Sequence, residues 1–101
     1  LTPREVEQLK SSLDIAYFRA GEVLLDAGQS TTHLFVLIKG SVEEKYQQEV
    51  FAHYGHDDLF DVRSLFEGKV RHQYVALEDV LCYLLPSEVF LSLFNSNQSF
   101  A

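Results

Sequence analysis

Apolar residues in this chain change their spacing twice. Leu1, Val6, Leu9 and Leu13 recur at helical intervals, which line one face of a helix. Thr2-Pro3-Arg4-Glu5 supplies the start: Thr2 caps, Pro3 suits the first helical position and Glu5 completes a capping box. The pattern predicts a helix to about Leu13. From Ile15 the period changes. Tyr17-Phe18-Arg19-Ala20-Gly21-Glu22-Val23-Leu24-Leu25 reads as strand, glycine turn and strand, and Asp26-Ala27-Gly28-Gln29-Ser30 is turn chemistry. His33 to Lys39 is the most strand-like run, Lys39-Gly40 a tight turn, and Ser41 to Tyr46 the returning partner. Gln47-Gln48 lacks the glycine or asparagine that a two-residue hairpin prefers. Glu49 to Tyr54 is a further strand, ended by Gly55. Gln73 to Leu77 and Val80 to Leu85 are two more, split by Glu78-Asp79. Pro86-Ser87-Glu88 then opens a second helix with Val89, Phe90, Leu93 and Phe94 apolar.

Short strands at close, regular spacing predict a mainly β fold: a β jelly roll, or double-stranded β-helix, flanked by short N- and C-terminal α-helices. Tyr17, Phe18, Phe35, Tyr46, Phe51, Tyr54, Phe60 and Phe66 are expected to supply most of its core mass.

The chain has 101 residues, 47% hydrophobic and 23% charged, which fits one folded domain with one core. It starts at Leu1, holds no methionine, and stops abruptly after Ser99-Phe100-Ala101. Residues 1–101 are therefore expected to be a piece of a longer multidomain protein. The net charge of −7 repels a phosphate backbone, so direct nucleic-acid binding is not expected. No apolar run approaches the ~20 residues needed to span a bilayer, so no membrane partner is expected either. The single cysteine, Cys82, lies in an apolar run and reads as a buried small hydrophobe, which fits a cytoplasmic setting.

The chemistry concentrates between Asp57 and Ala76. Asp57-Asp58-Leu59-Phe60-Asp61-Val62-Arg63-Ser64-Leu65-Phe66 reads as a turn and a short helix, and Arg71-His72-Gln73-Tyr74-Val75-Ala76 as an arginine entering a strand. With Phe18 to Leu25, Gly28 and the run from His33 to Val42 in the same order, this layout resembles the cyclic-nucleotide-binding domain. That is the jelly-roll sensor of catabolite-activator-type regulators, cyclic-nucleotide-dependent kinases and gated channels. Leu81-Cys82-Tyr83-Leu84-Leu85-Pro86 and the helix after it are similar to bacterial signal-transduction proteins in which this domain precedes paired CBS domains and a nucleotidyltransferase region.

The resemblance implies a ligand site at Phe60, Asp61, Val62, Arg63, Ser64, Arg71 and His72, with a cyclic nucleotide or another nucleotide as ligand. A cyclic phosphate needs N–H donors and a cation, best an arginine fork. The ribose 2′-hydroxyl donates, so a carboxylate suits it. The family places Gly-Glu where this chain has Asp61-Val62, glycine where it has Asp57, and serine or threonine where it has His72. Arg71 stands at the position of the phosphate-binding arginine. Asp61 adds a Cβ and a negative charge, and Val62 accepts no hydrogen bond. Losing one hydrogen bond to a charged group costs about 1.5–3 kcal/mol, roughly ten- to a hundredfold in affinity. From Asp57 to His72 four carboxylates face three cations.

Three readings follow. The domain has kept the fold and lost the nucleotide, with Arg71 paired to Asp61 or Asp58; it binds another small ligand through Arg71 and His72; or it senses cyclic AMP or GMP. In each it is a regulatory sensor or docking module of a bacterial signal-transduction protein, or the N-terminal effector domain of a transcription regulator. Its expected partners are C-terminal domains of the same chain and a second copy in a homodimer.

No catalytic residue, metal site or cofactor is assigned, and the domain is not read as an enzyme, although a parent protein with a nucleotidyltransferase region would be one. His53 and His56 beside Asp57 and Asp58 read as a polar loop. A cupin metal centre needs His-x-His, which does not occur. Glu43-Glu44 should place one carboxylate in solvent and one at an edge. The last helix, with Val89, Phe90, Leu93, Phe94 and Phe100, carries more apolar surface than a terminal helix easily buries, so it either folds back on the barrel or docks elsewhere.

Overall fold

Alternation of apolar residues builds two facing sheets. The structure, a computed structural model, describes residues 2–4, 7, 11 and 13–97. Pro3, Arg4, Glu7 and Ser11 are helical, and the rest of the helix expected before Leu13 lies outside the described residues. The strands are β1 (Asp14–Phe18), β2 (Val23–Leu25), β3 (His33–Lys39), β4 (Val42–Tyr46), β5 (Glu49–Tyr54), β6 (Leu59–Phe60), β7 (Gln73–Ala76) and β8 (Val80–Pro86). Two helices are described in full extent, α1 (Val62–Glu67) and α2 (Ser87–Asn97). One sheet runs β1-β8-β3-β6 and the other β2-β7-β4-β5; every pairing is antiparallel. This is the expected jelly-roll arrangement.

Two local features differ from the sequence reading, and one turn forms against its residue preference. Leu59-Phe60 forms β6, pairing with Val36 and Phe35 of β3; two residues carry too short a pattern to read. Pro86 ends β8 instead of opening α2. β1 reaches only as far as Leu84 along β8, so beyond that point β8 has β3 alone as neighbour, and a residue without an N–H is tolerated. Gln47 and Gln48 do make the two-residue turn between β4 and β5, both at positive φ (51° and 70°), which costs roughly 1–2 kcal/mol per non-glycine residue.

The core lies between the sheets. Leu37, Val42, Val80 and Cys82 are fully buried, and Phe60 stacks on Phe35 and on Tyr74 with ring centroids 5.4 and 5.1 Å away. Burial pushes the Cys82 thiol up to about 11. The expected aromatic core is only partly realised. Phe35 and Phe60 are buried and Phe18 and Tyr54 pack against them, but Tyr17, Tyr46, Phe51 and Phe66 are exposed. Tyr74 takes a core place the sequence reading did not give it.

A second apolar cluster lies on the outer face of the first sheet. Leu34, Leu65 and Leu85 are buried there, under Leu13, Val62, Val89 and Phe90. Thus α2 folds back on the sheet through Val89 and Phe90. The side chain of Phe94, and Phe100 altogether, lie outside the described residues.

Candidate functional site

Asp57 and Asp61 share a backbone conformation that glycine adopts most readily. Asp57 has φ 70° and Asp61 has φ 60°, ψ 38°, the left-handed region. Aspartate is one of the few non-glycine residues that visits this region. Asp61 stands at the start of α1, and its Oδ2 is closed off from solvent without a hydrogen bond of good geometry. Burial raises its carboxyl above the ordinary range; the nearby Ser64 and Tyr74 hydroxyls and Arg63 pull it down, and the Glu44 charge raises it further.

Each of the other candidate residues has a defined place. Phe60 belongs to the core stack. Val62 packs into the cluster under α2. Ser64 is buried, and its hydroxyl donates to the Asp61 carbonyl at 2.9 Å. Arg63 is exposed. Arg71 is exposed too and is held by Glu67: Nε lies 2.9 Å from Oε1, and Nη2 lies 2.9 Å from Oε2. The expected pairing with Asp61 or Asp58 is therefore not the one formed. Gly68, in the left-handed conformation, ends α1. Glu67 and Arg71 flank it four residues apart, where two parallel N–H···O bonds form and both groups stay hydrated.

His72 is drawn inward instead. Its Nδ1 lies 2.6 Å from Oε2 of Glu44, whose Oε1 accepts a 2.6 Å hydrogen bond from the Tyr54 hydroxyl. The imidazole stacks on Phe51 (4.4 Å between centroids) and lies 5.4 Å from the Tyr46 ring. A bulge makes the Phe51 contact. Lys45 pairs with Val50 and Glu44 with Ala52, so Phe51 is the extra residue of β5; bulges re-aim side chains in this way.

Glu44 is the residue the sequence reading misplaced. It is buried, not at an edge or in solvent. Burial by itself would raise its carboxyl, but hydrogen bonds from Tyr54 and His72 outweigh this and hold it below the ordinary range. Burial and the Glu44 hydrogen bond push the Tyr54 hydroxyl well up, and burial with the Asp61 charge does the same to Tyr74. Alternation from the fully buried Val42 already pointed Glu44 inward.

The barrel interior beside the cassette thus holds two carboxylates, Glu44 and Asp61, with Tyr54, Tyr74 and His72. A concavity of ≈ 290 Å³ lies elsewhere, at the tip of the β4–β5 hairpin, between Asp26, Lys45, Tyr46, Gln47, Gln48 and Gln73. His53 sits 3.7 Å from Glu43 and His56 3.2 Å from Asp57. Among the described residues no group of three or more His, Cys, Asp or Glu could hold a metal ion, and no helix is long and apolar enough to cross a membrane.

Solved structures share the architecture. The catabolite activator protein of Thermus thermophilus superposes with a TM-score of 0.78 at 24% identity, over 95% of this chain and 48% of that one. The sensor domain of the transcriptional regulator DNR from Pseudomonas aeruginosa gives 0.86 at 16% identity, over 95% and 72%. The PKAR CBD2 bound to Sp-2Cl-cAMPS gives 0.84 at 19%, over 99% and 69%. The chain spans about half the length of that catabolite activator protein. These likenesses carry the fold, which recurs in regulators and sensors. No curated protein matches the sequence. Residues 15–97 match the cyclic nucleotide-binding domain, and with the cassette, the two sheets and α2 in place, the chain belongs to that family.

Proposed function

We propose that this domain is a regulatory module that keeps the cyclic-nucleotide-binding fold without capturing a cyclic phosphate, and that it serves as a docking or sensing part of a larger bacterial signalling protein. One observation carries the reading: Arg71 is clamped to Glu67 in solvent while the carboxylate of Asp61 stands at the start of α1. Two like unit charges about 4 Å apart at an effective dielectric near 20 repel by roughly 4 kcal/mol. A phosphate beside an ionised Asp61 meets that repulsion, which an inward-turned Arg71 would offset only after leaving Glu67.

The wider setting is part of the same proposal. The domain works in the cytoplasm, signals to C-terminal domains of its own chain, with CBS domains and a nucleotidyltransferase region as the first architecture to look for, and contacts no nucleic acid itself. The homodimer and the effector domain of a transcription regulator remain the alternatives for its assembly and output.

A second reading is favoured by the Asp61 oxygen that lacks a well-formed hydrogen bond. A ligand presenting N–H or O–H donors would satisfy it, with Tyr54, Tyr74 and His72 around it.

Calorimetry and thermal shift with cyclic AMP, cyclic GMP, cyclic dinucleotides, ATP and AMP test these readings. A ligand at a hundred times its Kd stabilises by about 2.7 kcal/mol. No heat and no shift are expected with cyclic AMP or GMP. A saturable shift with either would overturn the proposal in favour of ordinary cyclic-nucleotide sensing through Arg71.

A further inference from the structure

The outer face of the β1-β8-β3-β6 sheet carries an apolar row in exact cross-strand register. Ile15 of β1 pairs with Tyr83 of β8, Tyr83 with Val36 of β3, and Val36 with Leu59 of β6. Ile15 is 65% exposed, Leu59 47% and Tyr83 38%, with Val36 half-buried. In the next row, Tyr17 of β1, 59% exposed, pairs with Leu81 of β8. Four strands thus turn apolar side chains outward at adjoining positions. A face that is solvated in an antiparallel sheet is ordinarily polar, and contiguous exposed apolar patches mark interaction sites.

The row on the other side is already covered. Leu34 pairs with Leu85, one row before Val36 and Tyr83, and both are buried under Val89 and Phe90 of α2 and Val62 of α1. Rows on one face lie about 7 Å apart, and neighbouring helices pack ~8–10 Å apart. The uncovered rows therefore begin about one helix spacing from the covered one, and the surface continues an interface that a helix already makes.

Charge selects the occupant. At the edge of this face Asp79 accepts a 2.8 Å hydrogen bond from the Tyr17 hydroxyl. The chain carries a net charge of −7, so two copies meeting face to face repel, while a basic partner is attracted.

We propose that this face docks an amphipathic helix of a partner segment, apolar on one side and flanked by lysine or arginine, laid beside α2 across the Ile15–Tyr83–Val36–Leu59 row. The proposal rests on the docking reading given above and names its surface.

The test is an amide chemical-shift titration of the whole 101-residue chain with a leucine–lysine amphipathic helical peptide, alongside its leucine–glutamate counterpart and cyclic AMP. The lysine peptide is expected to perturb β1, β8, β3 and β6 around Ile15, Tyr83, Val36 and Leu59. The glutamate peptide should bind at least tenfold more weakly. Ile15→Ser with Tyr83→Ser should weaken the lysine peptide tenfold or more, with melting curves showing that the variant stays folded. Should that variant unfold, Leu59→Ser and Tyr17→Ser are measured singly against the same tenfold criterion. No binding, equal affinity for both peptides, or shifts centred on the β4–β5 hairpin would overturn this surface. So would sedimentation showing a dimer of the chain that the same serine substitutions dissociate. Saturable cyclic AMP binding in the parallel arm would instead overturn the docking reading beneath it, so the two failures are told apart.

Discussion

Arg71 and Glu67 form a two-pronged ion pair on the outside of the cassette, with both N···O distances at 2.9 Å. The residue best suited to meet a phosphate is thereby engaged by a carboxylate four positions back. Exposed pairs of this kind are worth only about 0–1 kcal/mol, so Glu67 does not lock Arg71. Under the proposed function, the barrier to phosphate binding therefore lies with Asp61 and Val62.

That division of roles predicts a graded gain of function. Glu67→Gln alone should leave cyclic AMP binding undetectable and stability within about 1 kcal/mol of the parent. Asp61→Gly with Val62→Glu should restore measurable binding, and adding Glu67→Gln should tighten it further. Calorimetry on the three variants checks the order. Binding by Glu67→Gln alone would place the block at Arg71 instead.

Asp61 should also shape stability against pH. Its carboxyl is raised in the folded state, chiefly by burial, from an ordinary value of 3.8. A raised acid favours folding while protonated, and that contribution is lost as pH rises through the folded pKa. Asp61→Asn keeps a residue that tolerates positive φ and removes the charge. Its stability advantage over the parent should therefore grow as pH rises above 3.8 and level off only above the folded-state pKa. Urea midpoints across that window measure it, and a constant difference would refute a buried charge at this site.

Glu44 should behave oppositely. Hydrogen bonds from Tyr54 and His72 hold its carboxyl below 4.5 in spite of burial. A depressed acid contributes stability above its unfolded pKa, lost as pH falls through the folded one. Glu44→Gln should cost about 1.5–3 kcal/mol at neutral pH, the worth of a charge-assisted hydrogen bond. The cost should shrink below pH 4.5. Denaturant unfolding at neutral and acid pH separates this from a loss of packing, which would not change with pH.

The β4–β5 turn offers a third measure of strain. Gln47→Asn with Gln48→Gly suits both positive φ values and should stabilise the domain by about 1 kcal/mol or more. An unchanged thermal midpoint would show that the two glutamines make compensating contacts.

How much of this was legible beforehand differs by residue. Strands β3, β4, β5, β7 and β8 are legible as short runs of strand-forming residues bounded by turn residues, β3 and β8 being apolar on both faces. The demand for glycine-like backbone at Asp57 and Asp61 was legible from the family resemblance, and positive φ at both confirms it. Glu44 was legible in principle from Val42. It was misread because two adjacent carboxylates suggest a solvated strand, whereas the neighbours that make burial tolerable, Tyr54 and His72, come from 10 and 28 residues away.

By itself the sequence determined the class of fold, the frame of the cassette and its unfavourable charge, since these depend on residue type and spacing along the chain. Tertiary structure alone decided that Arg71 turns outward to Glu67, that His72 turns inward to Glu44, and that Phe51 bulges over it. It also decided that the outer row from Ile15 to Leu59 stays uncovered one step from α2. Apart from Arg71 and Glu67, which stand four residues apart, each of these depends on which residues strand pairing brings together, and no pattern within a single strand sets that.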